Sequence, residues 1–84
     1  MKILKLQTDA FYLHINLGLK FREARQLKKY SLEFLSEHAV LSNADELLRF
    51  EQGITQLSLN KIYALANVLE LSPKLVLEWL SLQN

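Results

Sequence analysis

The 84-residue chain has no cysteine. That absence excludes disulfides, thiolate metal centres and cysteine nucleophiles, and it makes a reducing cytoplasm the simplest address. Two glycines and one proline leave no glycine-rich phosphate loop, flexible linker or low-complexity tract. No apolar run exceeds a few residues, and the opening "MKILKLQTDAF" lacks the long apolar segment and small-residue cleavage site of a signal peptide. The expectation is an unprocessed soluble chain with no membrane partner. The two histidines, His14 and His38, fall on different expected helices without an HxxxH or HExxH pattern, so no metal or other cofactor is expected. No nucleophile stands at a working distance from a base, and an enzyme is not expected.

What is present is apolar. Half of the residues are hydrophobic, and they must form a dense core because a chain this short buries only ~60% of its unfolded surface. Formal net charge is +1, but the charges are uneven. Lys20, Arg22, Arg25, Lys28 and Lys29 stand against a single Glu23, whereas Glu33, Glu37, Asp45 and Glu46 follow with no Lys or Arg between them. A basic segment is succeeded by an acidic one.

Periodicity predicts an all-α domain over residues 10–84, preceded by a short extension at 1–9. Lys2 to Leu6 alternates partly and reads as a short strand that would need another edge to join. Thr8 or Asp9 then caps a helix to about Lys29, with Leu13, Leu17, Phe21 and Ala24 on one face. Gly18 lies inside that stripe, where its cost of ~1 kcal/mol points to close packing on another helix. Ser31 caps a second helix with Leu32 or Leu35 and Ala39 inward. Ser42 and Asn43 both suit the start of a third, which ends at Gly53 and buries Leu47 and Phe50. Ser58 caps a fourth, with Ile62, Leu65, Ala66 and Leu69 inward. Ser72 caps a fifth, which opens with Pro73 and turns Val76, Leu77 and Leu80 inward. Leu75 and Trp79 form a pair at i, i+4 beside that last stripe. The pair either packs on the N-terminal segment or forms an exposed apolar interface patch.

This order of elements resembles the Cro/repressor-type, lambda-repressor-like (XRE) helix-turn-helix family over about Leu17 to Leu80. "LGLKFREARQLKKYSLEFLSE" is similar to the family's first two helices, "LLRFEQG" to the end of its recognition helix, and "SLNKIYALANVLELSPKLVLEWL" to its closing pair. The resemblance implies a five-helix bundle that lays its third helix in the major groove. It also implies an ion pair between Arg25 and Glu51. A buried pair of this kind leaves a charge unpaired, at ~3–5 kcal/mol, when either member is removed. As two surface charges they would contribute under ~1 kcal/mol.

With Leu47 and Phe50 facing the core, the outward ridge of the third helix is Asp45, Arg49 and Gln52. The expected DNA-contacting set is Asn43, Ala44, Asp45, Glu46, Arg49 and Gln52, with Thr55 and Gln56 in the following loop and Lys28 and Lys29 beside it. Asn43 and Gln52 can bond base edges and Arg49 can read guanine, while Asp45 and Glu46 accept from cytosine but repel phosphates. Asp45 also stands four residues before Arg49, the orientation that favours an ion pair along the helix. Three positions depart from the family pattern. Leu32 replaces a phosphate-contacting glutamine, the loop "ITQ" carries no charge, and Val40 replaces the turn glycine.

Two functions follow as expectations. The first is a sequence-specific transcriptional regulator that binds double-stranded DNA, with a homodimer on a two-fold operator as one form open to it. The alternative is an antitoxin-like or adaptor module whose acidic third helix and Leu32, Phe34 and Trp79 meet a protein partner.

Overall fold

A computed structural model of the chain describes residues 16–81, all of whose regular structure is helical. Helix α1 occupies residues 16–27, α2 is Leu32–His38, α3 is Ala44–Glu51, α4 is Leu59–Val68 and α5 is Pro73–Ser81. The expected strand at Lys2 to Leu6, the cap at Thr8 or Asp9, and Leu13 and His14 lie outside the described residues.

Each later helix starts where a side-chain oxygen takes an otherwise unpaired backbone N–H. Ser31 accepts from the Phe34 N–H at 2.9 Å, Ser58 from Lys61 at 3.3 Å and Ser72 from Leu75 at 3.1 Å. Of the two candidates for α3, Asn43 takes the cap, its Oδ1 accepting from the Glu46 N–H at 2.9 Å. Glu46 answers by accepting the Ser42 N–H at 2.9 Å. The two side chains close the helix start reciprocally, much as in a capping box.

The helix ends share one geometry. After α1, α2, α3 and α4 the chain turns left-handed at Lys29 (φ 60), Val40 (φ 57), Gly53 (φ 77) and Glu70 (φ 60). In each case the next N–H reaches back to a carbonyl in the last helical turn. Tyr30 bonds Arg25 at 3.2 Å, Leu41 bonds Ser36 at 2.9 Å, Ile54 bonds Arg49 at 2.9 Å and Leu71 bonds Ala66 at 2.8 Å. These are Schellman closures. Only one of the four has the glycine that such a closure prefers.

The core gathers Leu17, Phe21, Leu35, Leu47, Phe50, Ile62, Leu65, Ala66 and Val76 from all five helices, with Ala39 and Leu69 from the caps that end α2 and α4 and Leu41 and Leu57 from the connections. Phe21 meets Phe50 edge-on at 5.5 Å. Leu41 is the residue just beyond the left-handed Val40, a position that commonly packs back on the helix it follows.

One expected core residue is out of place. Leu77 is 56% exposed, while Trp79, expected beside the stripe, is packed against the core and meets Phe21 edge-on at 5.7 Å. The cause is angular. With Val76 fully buried, the residues that share its face of α5 are three and four positions on, Trp79 and Leu80, and Leu77 is turned about 100° away.

Candidate nucleic-acid interface

Helix α3 is short and polar on its outer side, so what fixes it in place decides what it can do. Its C-terminal end is held by α1. Arg25 Nε donates to Glu51 Oε2 at 2.7 Å and Arg25 Nη2 to Oε1 at 3.0 Å, a bidentate fork. The Arg25 Nη1 donates in addition to the Tyr30 carbonyl at 2.9 Å. The Glu51 side chain is 1% exposed and that of Arg25 13%, so the pair is structural and buried. Two turns earlier on α1, Gly18 lies directly on the Phe50 and Glu51 carbonyls, where a side chain would not fit. The expected close helix approach is therefore between α1 and the last turn of α3.

The N-terminal end of α3 is held by α4. Lys61 Nζ donates to Glu46 Oε2 at 2.6 Å, and with the Ser42 N–H on Oε1 both carboxylate oxygens are engaged. Lys61, followed by the Ser42 N–H, keeps the Glu46 carboxyl below the usual glutamate range. Lys61 had no sequence signal to mark it, because the partners are 15 residues apart on different helices.

Between these anchors the ridge Asp45, Arg49 and Gln52 faces solvent. Arg49 Nε donates to Asp45 Oδ2 at 2.9 Å, with the two side chains 56% and 63% exposed. Asn43 is exposed too, but its oxygen is committed to the cap and its amide N–H₂ is what remains for a ligand. Ala44 is half-buried at the helix start. Ser42, Asn43, Asp45, Glu46 and Arg49 on one side and Thr55 and Gln56 on the other line a shallow polar depression of about 350 Å³.

Other expected contacts are placed differently. The Thr55 hydroxyl is buried and has no hydrogen-bond partner among the described residues. Gln56 is exposed. Lys28 reaches Glu70 at 2.9 Å across the surface, which raises the lysine pKa and lowers that of the glutamate. Lys20 places its ammonium 5.4 Å from the Trp79 ring centroid. Arg22 and Lys29 are exposed and make no ion pair among the described residues. Leu75 and Trp79 are half-buried, and Trp79 packs on the core rather than standing as an open patch. Leu32 is likewise half-buried against the core, whereas Phe34 is 39% exposed. Phe34 lies in a ladder with Tyr30 at 4.6 Å and His38 at 4.0 Å. His38 Nδ1 lies 2.8 Å from the Phe34 carbonyl.

No family model matches this chain, and no curated protein or solved structure matches it either. Among the described residues no helix is long and apolar enough to cross a membrane.

Proposed function

We propose that the protein is a sequence-specific DNA-binding regulator of the lambda-repressor-like helix-turn-helix type, with α3 entering the major groove. The observation that carries this reading is the mounting of α3. A buried ion pair and a glycine contact fix one end, a salt bridge to α4 fixes the other, and the polar ridge of Asp45, Arg49 and Gln52 is left outward with the exposed Leu48 beside it. Nothing in the core needs that ridge, and a rigid polar helix face is what base-edge readout requires. Phosphate contacts come from Arg22 and Lys29, with Lys28 able to exchange its exposed glutamate for a phosphate. At ~0.9 counterions per contact, that is a salt slope of roughly −3 per protomer, and two protomers on a two-fold site would double it.

The test is a titration of isotope-labelled protein with duplex DNA at low ionic strength. Chemical-shift changes should centre on Asn43, Asp45, Arg49 and Gln52 and fade as salt is added. A spectrum that stays unchanged with both random and native upstream duplexes would overturn the proposal.

A protein partner is the second reading, favoured by the partly exposed ladder of Tyr30, just before α2, with Phe34 and His38 on α2, beside Glu33 and Glu37. It expects Phe34→Ala to abolish a complex while leaving the fold and any DNA binding intact. A chain that purifies alone and behaves identically with and without Phe34 removes that reading.

A further inference from the structure

Resting on the DNA-binding reading, we infer that Asp45 and Arg49 act together as one base-reading unit, selective for guanine with an adjacent cytosine. The geometry starts from the Arg49 guanidinium. It has five N–H donors, and its Nε–H is taken by Asp45 Oδ2 at 2.9 Å. The remaining four are on the two Nη atoms, for which the described residues provide no acceptor. A flexible arginine is thus oriented by a carboxylate one helical turn earlier, with the Nη end of the fork left without a partner among the described residues. Two parallel N–H groups at that end match guanine O6 and N7, the one base edge with two major-groove acceptors side by side.

Asp45 keeps its Oδ1 free of any partner among the described residues. An anionic acceptor there suits the exocyclic amino group of cytosine and rejects the O4 of thymine and the O6 of guanine. Arg49 is the specificity residue and Asp45 both positions it and reads the neighbouring base. The charge balance supports this division of labour. Asp45 and Arg49 cancel, and Glu46 is neutralised by Lys61 from α4. The ridge therefore discriminates without adding to the general attraction for phosphate, which comes from Arg22 and Lys29.

Selection of bound sequences from a randomised duplex pool, followed by sequencing, tests the unit with wild type, Arg49→Lys and Asp45→Asn. Wild type should enrich one position for guanine by about 5- to 150-fold. Arg49→Lys keeps the charge but loses the fork. It should lose that enrichment with little change in the salt slope. Asp45→Asn should weaken the guanine preference and abolish the cytosine beside it, while non-specific affinity stays level or rises. Thermal melting of each variant shows whether it is folded, and both sites are exposed enough that it should be. The unit is overturned if all three proteins select the same motif. Failure of wild type to retain any duplex overturns the DNA-binding reading itself, and the inference with it.

Discussion

Replacing Val40 by glycine should make the protein more stable, although the change removes an apolar side chain from the turn that leads into α3. Val40 stands at the left-handed position closing α2, with φ 57. For a residue with a Cβ that conformation is strained, by about 1–3 kcal/mol, and a β-branched side chain belongs toward the upper part of the range. Two effects oppose the gain. Glycine has more freedom to lose on folding, worth about 0.4–1 kcal/mol. The valine is 83% exposed, so only about a sixth of the ~2 kcal/mol of a buried aliphatic side chain is forfeited. The hydrogen bonds of the closure, Val40 N–H to Glu37 and Leu41 N–H to Ser36, use backbone alone and survive. A net gain of about 1–2 kcal/mol remains, which is a rise of about 4–16 °C in Tm for a domain of this size. Urea unfolding followed by far-ultraviolet circular dichroism should show a higher midpoint and an unchanged slope. Val40→Asn should recover part of the gain, because asparagine tolerates this region, and Val40→Ala less. A midpoint that falls for Val40→Gly would refute the assignment of strain to this turn. Because Val40 is not on the α3 ridge, the stabilised variant should bind DNA as wild type does.

Four further outcomes are expected. Gly18→Ala should destabilise by about 3 kcal/mol or more, because the new Cβ overlaps the Phe50 carbonyl oxygen and lies 2.7 Å from that of Glu51, and neither backbone atom can yield without shifting α3; a chemical melt decides it. Glu51→Gln and Arg25→Met should each cost about 3–5 kcal/mol, and the double variant less than their sum, since removing both partners leaves no buried orphan charge. Thr55→Val should stabilise by about 1 kcal/mol by removing a buried hydroxyl with no partner, without weakening DNA binding; weaker binding would show that the hydroxyl turns outward to a phosphate. The Glu46 carboxyl is held low chiefly by Lys61, so its contribution is present above the ordinary value of 4.5 and is lost as pH falls through the depressed one. Lys61→Met should therefore cost stability at neutral pH and progressively less in acid, read from urea midpoints across that range.

The helix starts were legible in the sequence because each is written locally. Ser31, Ser58 and Ser72 cap where their types and the following apolar spacing say they must, and between Ser42 and Asn43 it is Asn43 that caps α3, while the expected cap at Thr8 or Asp9 lies outside the described residues. The ends were less legible. Gly53 announces its turn, but Lys29, Val40 and Glu70 adopt the same conformation without a residue type that signals it, because tertiary packing and two backbone hydrogen bonds outweigh local preference. Leu77 and Trp79 exchanged places because a short helix rich in apolar residues offers more than one stripe, and with Val76 at the centre of the buried face the positions three and four on, Trp79 and Leu80, turn inward. Within the candidate site, the Asp45 and Arg49 pair followed from i, i+4 spacing, and the Arg25 and Glu51 pair from resemblance to a family. Lys61 and the inward Thr55 hydroxyl followed from neither.

The acids of α3 looked like an argument against a polyanionic partner. Each has a cation in the folded chain: Asp45 has Arg49, Glu46 has Lys61 and Glu51 has Arg25. Three carboxylates so paired cast little net field beyond the helix, since opposite charges a few ångströms apart act at a distance as a dipole and salt screens what remains. What is left to act at a distance includes exposed charges that make no ion pair among the described residues, among them Arg22 and Glu23 on α1, Lys29 just after it, and Glu33 and Glu37 on α2. The cations and the carboxylates among them attract opposite partners. An acidic segment in the sequence is thus not an acidic surface on α3, and the choice between nucleic acid and protein turns on whether binding loses strength when Arg22 and Lys29 are neutralised or when Glu33 and Glu37 are.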